Sequence, residues 1–123
     1  LLVEDEPAIS RLQYKMLTQD PLRHKVDIAA TGRTTLDLLE KKTYDLVSLD
    51  YILSGQANGM DVYRHIRRQN KDLPILFVSG NIEFLESIRE LTREDERIDH
   101  LTKPCSNREY LDRVVRLLKK AHQ

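Results

Sequence analysis

Short apolar runs and helix-period segments alternate five times along this chain, and that alternation limits the folds open to it. The runs are Leu1–Val3, Val26–Ala30, Tyr44–Asp50, Ile75–Val78 and Ile98–Leu101. In the third, Leu46, Val47 and Leu49 are nearly continuous, the pattern of a strand covered on both faces. Between the runs, apolar residues recur at helical spacing: Ile9, Leu12 and Met16; Leu36, Leu38 and Leu39; Val62, Tyr63 and Ile66; Phe84, Leu85, Ile88 and Leu91; Leu111, Val114, Val115 and Leu118. Right-handed crossovers then cover both faces of the sheet with helices. The expected fold class is α/β, a doubly wound, five-stranded parallel sheet with five helices.

Turn chemistry marks the boundaries. Pro7 suits a first helical turn, where its missing N–H costs nothing, and Asp20-Pro21 closes the first helix. Thr31-Gly32 leads out of the second strand, and the second helix ends near Lys41-Lys42. A loop from Ile52 to Gly59 follows the third strand, and the third helix carries Arg64, Arg67 and Arg68 on its wet side. Leu73-Pro74 precedes the fourth strand, which ends at Ser79-Gly80. The fourth helix is highly charged toward its end, from Arg93 to Arg97. The fifth strand ends at Thr102-Lys103-Pro104, and Ser106 and Glu109 have capping-box spacing ahead of the last helix.

The 123 residues suffice for one buried core and are too few for two, so residues 1–123 are expected to form one domain. The chain starts without Met and within a strand, and it is expected to be an excerpt of a longer protein. Lys and Arg number 20 and Asp and Glu number 20, so there is no basic excess of the kind that supports direct nucleic-acid binding. Cys105 is the one cysteine, which excludes an internal disulfide and fits a reducing, cytoplasmic compartment. No apolar run approaches the roughly 18 residues of a membrane span.

The chemistry gathers at the carboxyl ends of the strands, where open α/β sheets bind ligands. Glu4 and Asp5 follow strand one, Asp50 ends strand three, Ser79 ends strand four and Lys103 follows strand five. In a flavodoxin-like 2-1-3-4-5 strand order, strands one and three are neighbours, so the acids meet. Clustered carboxylates repel and take up protons unless a cation compensates. Mg²⁺ fits, because it binds through one or two carboxylates plus a phosphate and keeps several waters. An aspartate beside such an ion can act as a nucleophile, with Lys103 and the Ser79 hydroxyl meeting phosphoryl charge.

The chain resembles a receiver (CheY-like) domain of two-component response regulators over essentially its whole length. The matching pieces are LLVEDEP, YDLVSLD with a following GMD, the Ser-Gly of FVSGN, and LTKP, in order and on alternating elements. The resemblance implies that Asp50 accepts a phosphoryl group from a partner histidine kinase or phosphotransfer protein, with no separate substrate turned over. It implies Mg²⁺ bound by Asp5 and Asp50, by Glu4 through water, and by the backbone carbonyl of Ile52. Ser79 takes the Ser/Thr switch position, His100 that of the rotating aromatic switch, and Lys103 that of the family lysine before a cis Pro104. Small Gly80 would leave room for the incoming group. An attached or separate effector domain is implied, as is a homodimer through helix 4, strand 5 and helix 5, where Asp99 and Arg113 lie at positions that pair across some dimer interfaces.

Several residues depart from the family pattern. Ser54 and Asn58 stand where Pro and Gly are usual, and Gly59 comes one residue late, so the loop after Asp50 is expected to be longer. Cys105 stands where Phe is common. Each residue also has a plainer reading: Glu4 to Glu6 as negative charge at a helix start, Lys103 as a surface lysine, His100 as a half-exposed edge histidine, and Arg113, Arg116, Lys119 and Lys120 as a solvated face. Two rival functions are a receiver-like binding module that does not signal by phosphorylation and a small Mg²⁺-dependent aspartyl phosphatase. The phosphatase reading lacks the second Asp that many such enzymes carry two residues on, where this chain has Ile52. Ile52 and Asn81 occupy the positions that tune dephosphorylation in the family, and an apolar Ile52 should hinder the attacking water. A phosphorylated state that lasts minutes or longer in Mg²⁺ buffer is expected, and label lost within seconds would defeat that expectation.

Overall fold

The structure, a computed structural model, describes residues 1–50, 58–80 and 82–121. Ten elements alternate in the expected order: β1 (Leu2–Val3), α1 (Pro7–Thr18), β2 (Ile28–Ala29), α2 (Gly32–Lys41), β3 (Val47–Asp50), α3 (Gly59–Gln69), β4 (Ile75–Ser79), α4 (Ile82–Glu94), β5 (Ile98–Thr102) and α5 (Asn107–Ala121). The strands form one parallel sheet in the order β2-β1-β3-β4-β5. This is the fold class read from the alternation and the 2-1-3-4-5 order of the flavodoxin-like expectation. The loop after Asp50, with Ile52, Ser54 and its expected extra length, lies outside the described residues, as does Asn81.

Register explains how the two faces divide. Leu2 pairs with Ser48, Ser48 with Leu76 and Leu76 with Asp99, so these residues share one face. Two residues further along each strand, the same face carries Glu4, Asp50, Val78 and Leu101, with Lys103 following. Here Leu76, Val78 and Leu101 pack with Leu17 of α1 and with Tyr110, Val114 and Leu117 of α5. On the opposite face Val3, Val47, Leu49, Ile75 and Phe77 pack with α2, α3 and α4. Phe77 centres that cluster, edge-on to Phe84 at 5.4 Å and tilted against Tyr63 at 5.7 Å.

Helix starts follow local chemistry. Thr31 caps α2 by accepting from the Thr34 N–H at 3.1 Å, so it begins the helix rather than a turn. Asn58 and Asp61 form a full capping box, each side chain accepting from the other's backbone N–H at 3.0 Å. The usual glycine position is thus held by a residue that fixes the start of α3. At α5 the Ser106 hydroxyl accepts from Glu109 N–H at 3.1 Å and donates to its carboxylate at 3.2 Å.

Three sequence expectations are corrected. The first concerns α1, which buries Ser10, Gln13 and Leu17, while Leu12 of the expected Ile9–Leu12–Met16 stripe is 47% exposed. The Ser10 hydroxyl donates to the Pro7 carbonyl at 3.2 Å, which lets a polar residue sit inside. The second concerns Arg67, which is not on a wet face. Its Nε donates to Asp95 Oδ2 at 2.6 Å, Nη1 to the Leu73 carbonyl at 2.8 Å, and Tyr63 Oη donates to Asp95 Oδ2 at 2.7 Å. One acid of the charged run after α4 therefore ties that helix's end to α3, with both side chains largely covered. The third concerns Arg113, which leaves the solvated run to donate to Asp99 Oδ1 at 2.9 Å and the His100 carbonyl at 3.2 Å. Asp99 and Arg113 pair within one chain here.

The shifted face of α1 has a direct consequence. Leu17→Ala should destabilise the fold by about 2–4 kcal/mol, whereas Leu12→Ala should stay within about 0.5 kcal/mol of wild type. Urea unfolding of the two variants measures both, and the reverse ranking would restore the original stripe.

Candidate functional site

The carboxyl edge of the sheet brings together groups far apart in sequence. Glu4 lies at the end of β1 with its carboxylate buried, and Asp50 ends β3 at 8% exposure. Lys103 leaves β5 just after its N–H donates to the Ser79 carbonyl at 3.0 Å. Its Nζ donates to Glu4 Oε1 at 2.9 Å and to Asp50 Oδ2 at 3.2 Å. Sheet parity explains the meeting, because all three residues fall on one face: Glu4 and Asp50 share a row with Val78 and Leu101, and Lys103 stands two residues beyond Leu101. Asp5, half-buried, completes a cluster in which Glu4, Asp5 and Asp50 offer oxygens within 4.8 Å of one another. The Lys103–Pro104 peptide is cis, as the resemblance implied.

Electrostatically this cluster holds more negative charge than it can balance. Burial, and then hydrogen bonding to Glu4 and that residue's charge, push the Asp50 carboxyl up to about 7, against an opposing pull from Lys103. For Lys103, burial opposes the ammonium, but its bond to Glu4 and the Asp50 charge outweigh burial and raise its pKa. The Lys103 ammonium thus bonds two of the three clustered carboxylates, Glu4 and Asp50. An oxygen-only set this close suits a hard divalent cation, which relieves the repulsion that protonation of Asp50 would otherwise relieve. Glu4, Asp5 and Asp50 can hold such an ion.

The switch candidates lie on the opposite face. Ser79, buried at the end of β4, pairs with Thr102, and His100 pairs with Phe77 one step back, so Ser79 and His100 look toward the α4 side. His100 is half-buried, and its Nδ1 finds no hydrogen-bond partner among the described residues. Gly80 sits against Lys103, and a Cβ there would lie 3.7 Å from Lys103 Cβ, an ordinary contact. Its small size is therefore not demanded by the lysine. Cys105 is half-buried against the α1/α5 cluster, with its thiol pushed up by burial and by Glu109, the opposite of an activated nucleophile.

Sequence reasoning missed one polar pair beneath this edge. Tyr110 of α5, at 1% exposure, donates its hydroxyl to Ser48 Oγ of β3 at 2.7 Å. Tyr110, Val114 and Leu117 have core spacing, so the tyrosine was readable as buried. Its partner 62 positions away was not.

An open parallel α/β sheet with acids clustered at its carboxyl edge and a lysine reaching them from the last strand defines a class of phosphate- and metal-handling sites. Comparison with known proteins narrows that class. Residues 1–115 match the response regulator receiver domain family, and the chain belongs to it. The alkaline phosphatase synthesis transcriptional regulatory protein SphR of Synechococcus elongatus is 35% identical over 98% of this chain and 49% of its own length. The transcriptional regulatory protein CusR of Escherichia coli is 36% identical over 98% of this chain and 51% of its own. The chain thus spans about half the length of the curated relatives it matches. A CheY-like receiver domain protein from Methanospirillum hungatei superposes with a TM-score of 0.84 at 21% identity, covering 98% of this chain and 93% of that one. The receiver domain of NtrX from Brucella abortus gives 0.81 at 24%, covering 96% of each chain. Members of this family are signalling switches and do not turn over a separate substrate. No helix among the described residues is long and apolar enough to cross a membrane.

The elevated Asp50 carboxyl sets a pH dependence in metal-free solution. Its folded value, about 7, lies above the ordinary 3.8, so between those values the folded state binds more protons than the unfolded. Stability therefore falls as pH rises from about 4 to 7, and the penalty is fully present above 7. Asp50→Asn should be more stable than wild type at pH 8 with chelator present, by on the order of 1–2 kcal/mol after solvent screening is allowed for. The gain should vanish near pH 4. Thermal unfolding at both pH values checks it, and a variant less stable at pH 8 would contradict the site's charge balance.

Proposed function

We propose that this chain, residues 1–123, is the receiver part of a cytoplasmic two-component response regulator and that Asp50 is its phosphoacceptor. The observation that carries the reading is the Lys103 ammonium held between Glu4 and Asp50, groups from three different strands. A carboxylate oxygen of Asp50 attacks the phosphorus of a phosphohistidine on a sensor histidine kinase or phosphotransfer protein. The N–P bond breaks, its electron pair returns to the imidazole, and an aspartyl phosphate forms. Lys103 leaves its ion pair with Asp50 to meet the phosphoryl oxygens, which carry the charge that the carboxylate gives up.

Glu4, Asp5 and Asp50 fit Mg²⁺ and would hold it; the Ile52 carbonyl, expected as a further ligand, lies outside the described residues. When bound, the ion supplies positive charge to the transferring group. The Ser79 hydroxyl, on the strand beside Asp50, donates to the new phosphoryl oxygens. Its displacement changes the space next to His100 and alters the surface of α4, β5 and α5. The energetic requirement is that the phosphoryl group interact more favourably with one of two arrangements of that surface. The same surface is the proposed homodimer face. There the Asp99–Arg113 pair would have to open before either residue bonds a second copy. The relatives' roughly twofold greater length supports an effector domain attached to this one.

Acetyl phosphate with Mg²⁺, followed by intact-mass measurement, tests the reading. Wild type should gain a single phosphoryl adduct, and Asp50→Asn should gain none. An unlabelled wild type that still binds partner proteins would favour the non-phosphorylating module, and repeated hydrolysis of unrelated phosphoesters would favour a phosphatase.

A further inference from the structure

The position of the Lys103 ammonium depends on the path of the chain that follows it. The Lys103 backbone, at the end of β5, stands about two strand spacings (~10 Å) from that of Asp50 and about three (~14 Å) from that of Glu4. The lysine stem and the two acid side chains must extend toward one another to close those gaps, so a displacement of the Lys103 backbone passes to both ion pairs. On its upstream side this backbone is fixed by the ladder, through the Lys103 N–H to the Ser79 carbonyl. Downstream, the chain turns through Pro104 and Cys105 to the Ser106 cap and enters α5. How α5 is held against the sheet therefore decides where Lys103 sits.

Most of what holds α5 gives no reference to the strand that carries Asp50. Its apolar contacts with Leu76, Val78 and Leu101 are non-directional and allow a helix to slide or roll. The side-chain hydrogen bonds of Arg113 and Lys120 go to β5 and to the segment just before it. Among the described residues, the Tyr110 hydroxyl is the polar group of α5 that bonds β3, at Ser48. Ser48 lies two residues before Asp50 on the same face, and both hydroxyls are buried, so water cannot substitute for either. The bond is directional and fixes the first turn of α5 in height and azimuth relative to the Asp50 strand.

We propose that Tyr110 is a positioning residue for phosphoryl transfer, holding Lys103 over Asp50 through its buried hydrogen bond to Ser48. The inference rests on Asp50 as phosphoacceptor. It adds a control element in the first turn of α5 that touches no reacting atom.

Three measurements on wild type, Tyr110→Phe and the double variant Ser48→Ala/Tyr110→Phe test it: the thermal midpoint, the labelling rate with acetyl phosphate at saturating Mg²⁺, and the Lys103 side-chain NMR resonance in metal-free solution. Tyr110→Phe keeps the ring and leaves Ser48 unpaired, so its midpoint should fall and its labelling should slow by about tenfold. The double variant leaves no buried hydroxyl unpaired, so its midpoint should recover toward wild type. Its labelling should stay slow, and the Lys103 resonance should move toward that of a free lysine. Labelling that recovers together with the midpoint would assign the pair a purely structural role and overturn the proposal, as would wild-type labelling in Tyr110→Phe. Wild type that takes up no label fails the phosphoacceptor reading itself, whereas labelled wild type with insensitive variants fails only the role of Tyr110.

Discussion

The Lys103 ammonium held between two buried carboxylates, with a third beside them, is the interaction on which the rest of this structure depends. Lys103 satisfies Glu4 and Asp50 together, yet Asp50 still holds its proton to about neutral pH. Burial is the first cause, so added positive charge at this edge would relieve the repulsion among its carboxylates. A buried, incompletely balanced site of this kind lowers stability, and natural proteins retain it where the imbalance is used. Here the fold contributes three separate strand ends to it, and no local segment of the chain could build it alone.

The two faces of the sheet divide the work. The α1/α5 face carries Glu4, Asp50 and Lys103 and, beneath them, the Ser48–Tyr110 pair, so polar geometry is referenced from strand to helix across a buried layer. The α2/α3/α4 face is apolar around Phe77, and on it Ser79 and His100 lie one step apart on neighbouring strands. At the opposite edge of that face, the Arg67–Asp95–Tyr63 network fixes the carboxyl end of α4 to α3. The amino end of α4 follows directly from the Ser79 edge, so the helix is held firmly at the end remote from the site.

Much of the candidate site is legible in the sequence. Glu4, Asp5, Asp50, Ser79 and Lys103 stand at strand ends, and a parallel sheet in this order must bring strand ends to one edge. What was not legible was which side of each residue faces inward. In α1 the expected stripe Ile9–Leu12–Met16 and the observed face Ser10–Gln13–Leu17 differ by one residue step. Leu12 turns outward because the helix seats where Leu17, with Met16 beside it, meets the α5 cluster, and Ser10 can bury its hydroxyl on the Pro7 carbonyl. Arg67 looked like one more solvated arginine, and only the fold brought Asp95 to it from 28 positions away.

The sequence by itself determined the architecture, because strand and helix periods alternate with turn residues between them and few topologies satisfy that pattern. It also determined which chemical groups reach the carboxyl edge, since those groups sit where the periods break. Only the tertiary structure decided who pairs with whom: Lys103 with Glu4 and Asp50, Tyr110 with Ser48, Arg67 with Asp95, and Arg113 with Asp99 of its own chain. The physical reason is that periodicity encodes which face a side chain occupies. A hydrogen bond or ion pair also requires register between elements, and register is set by the packing of the whole sheet.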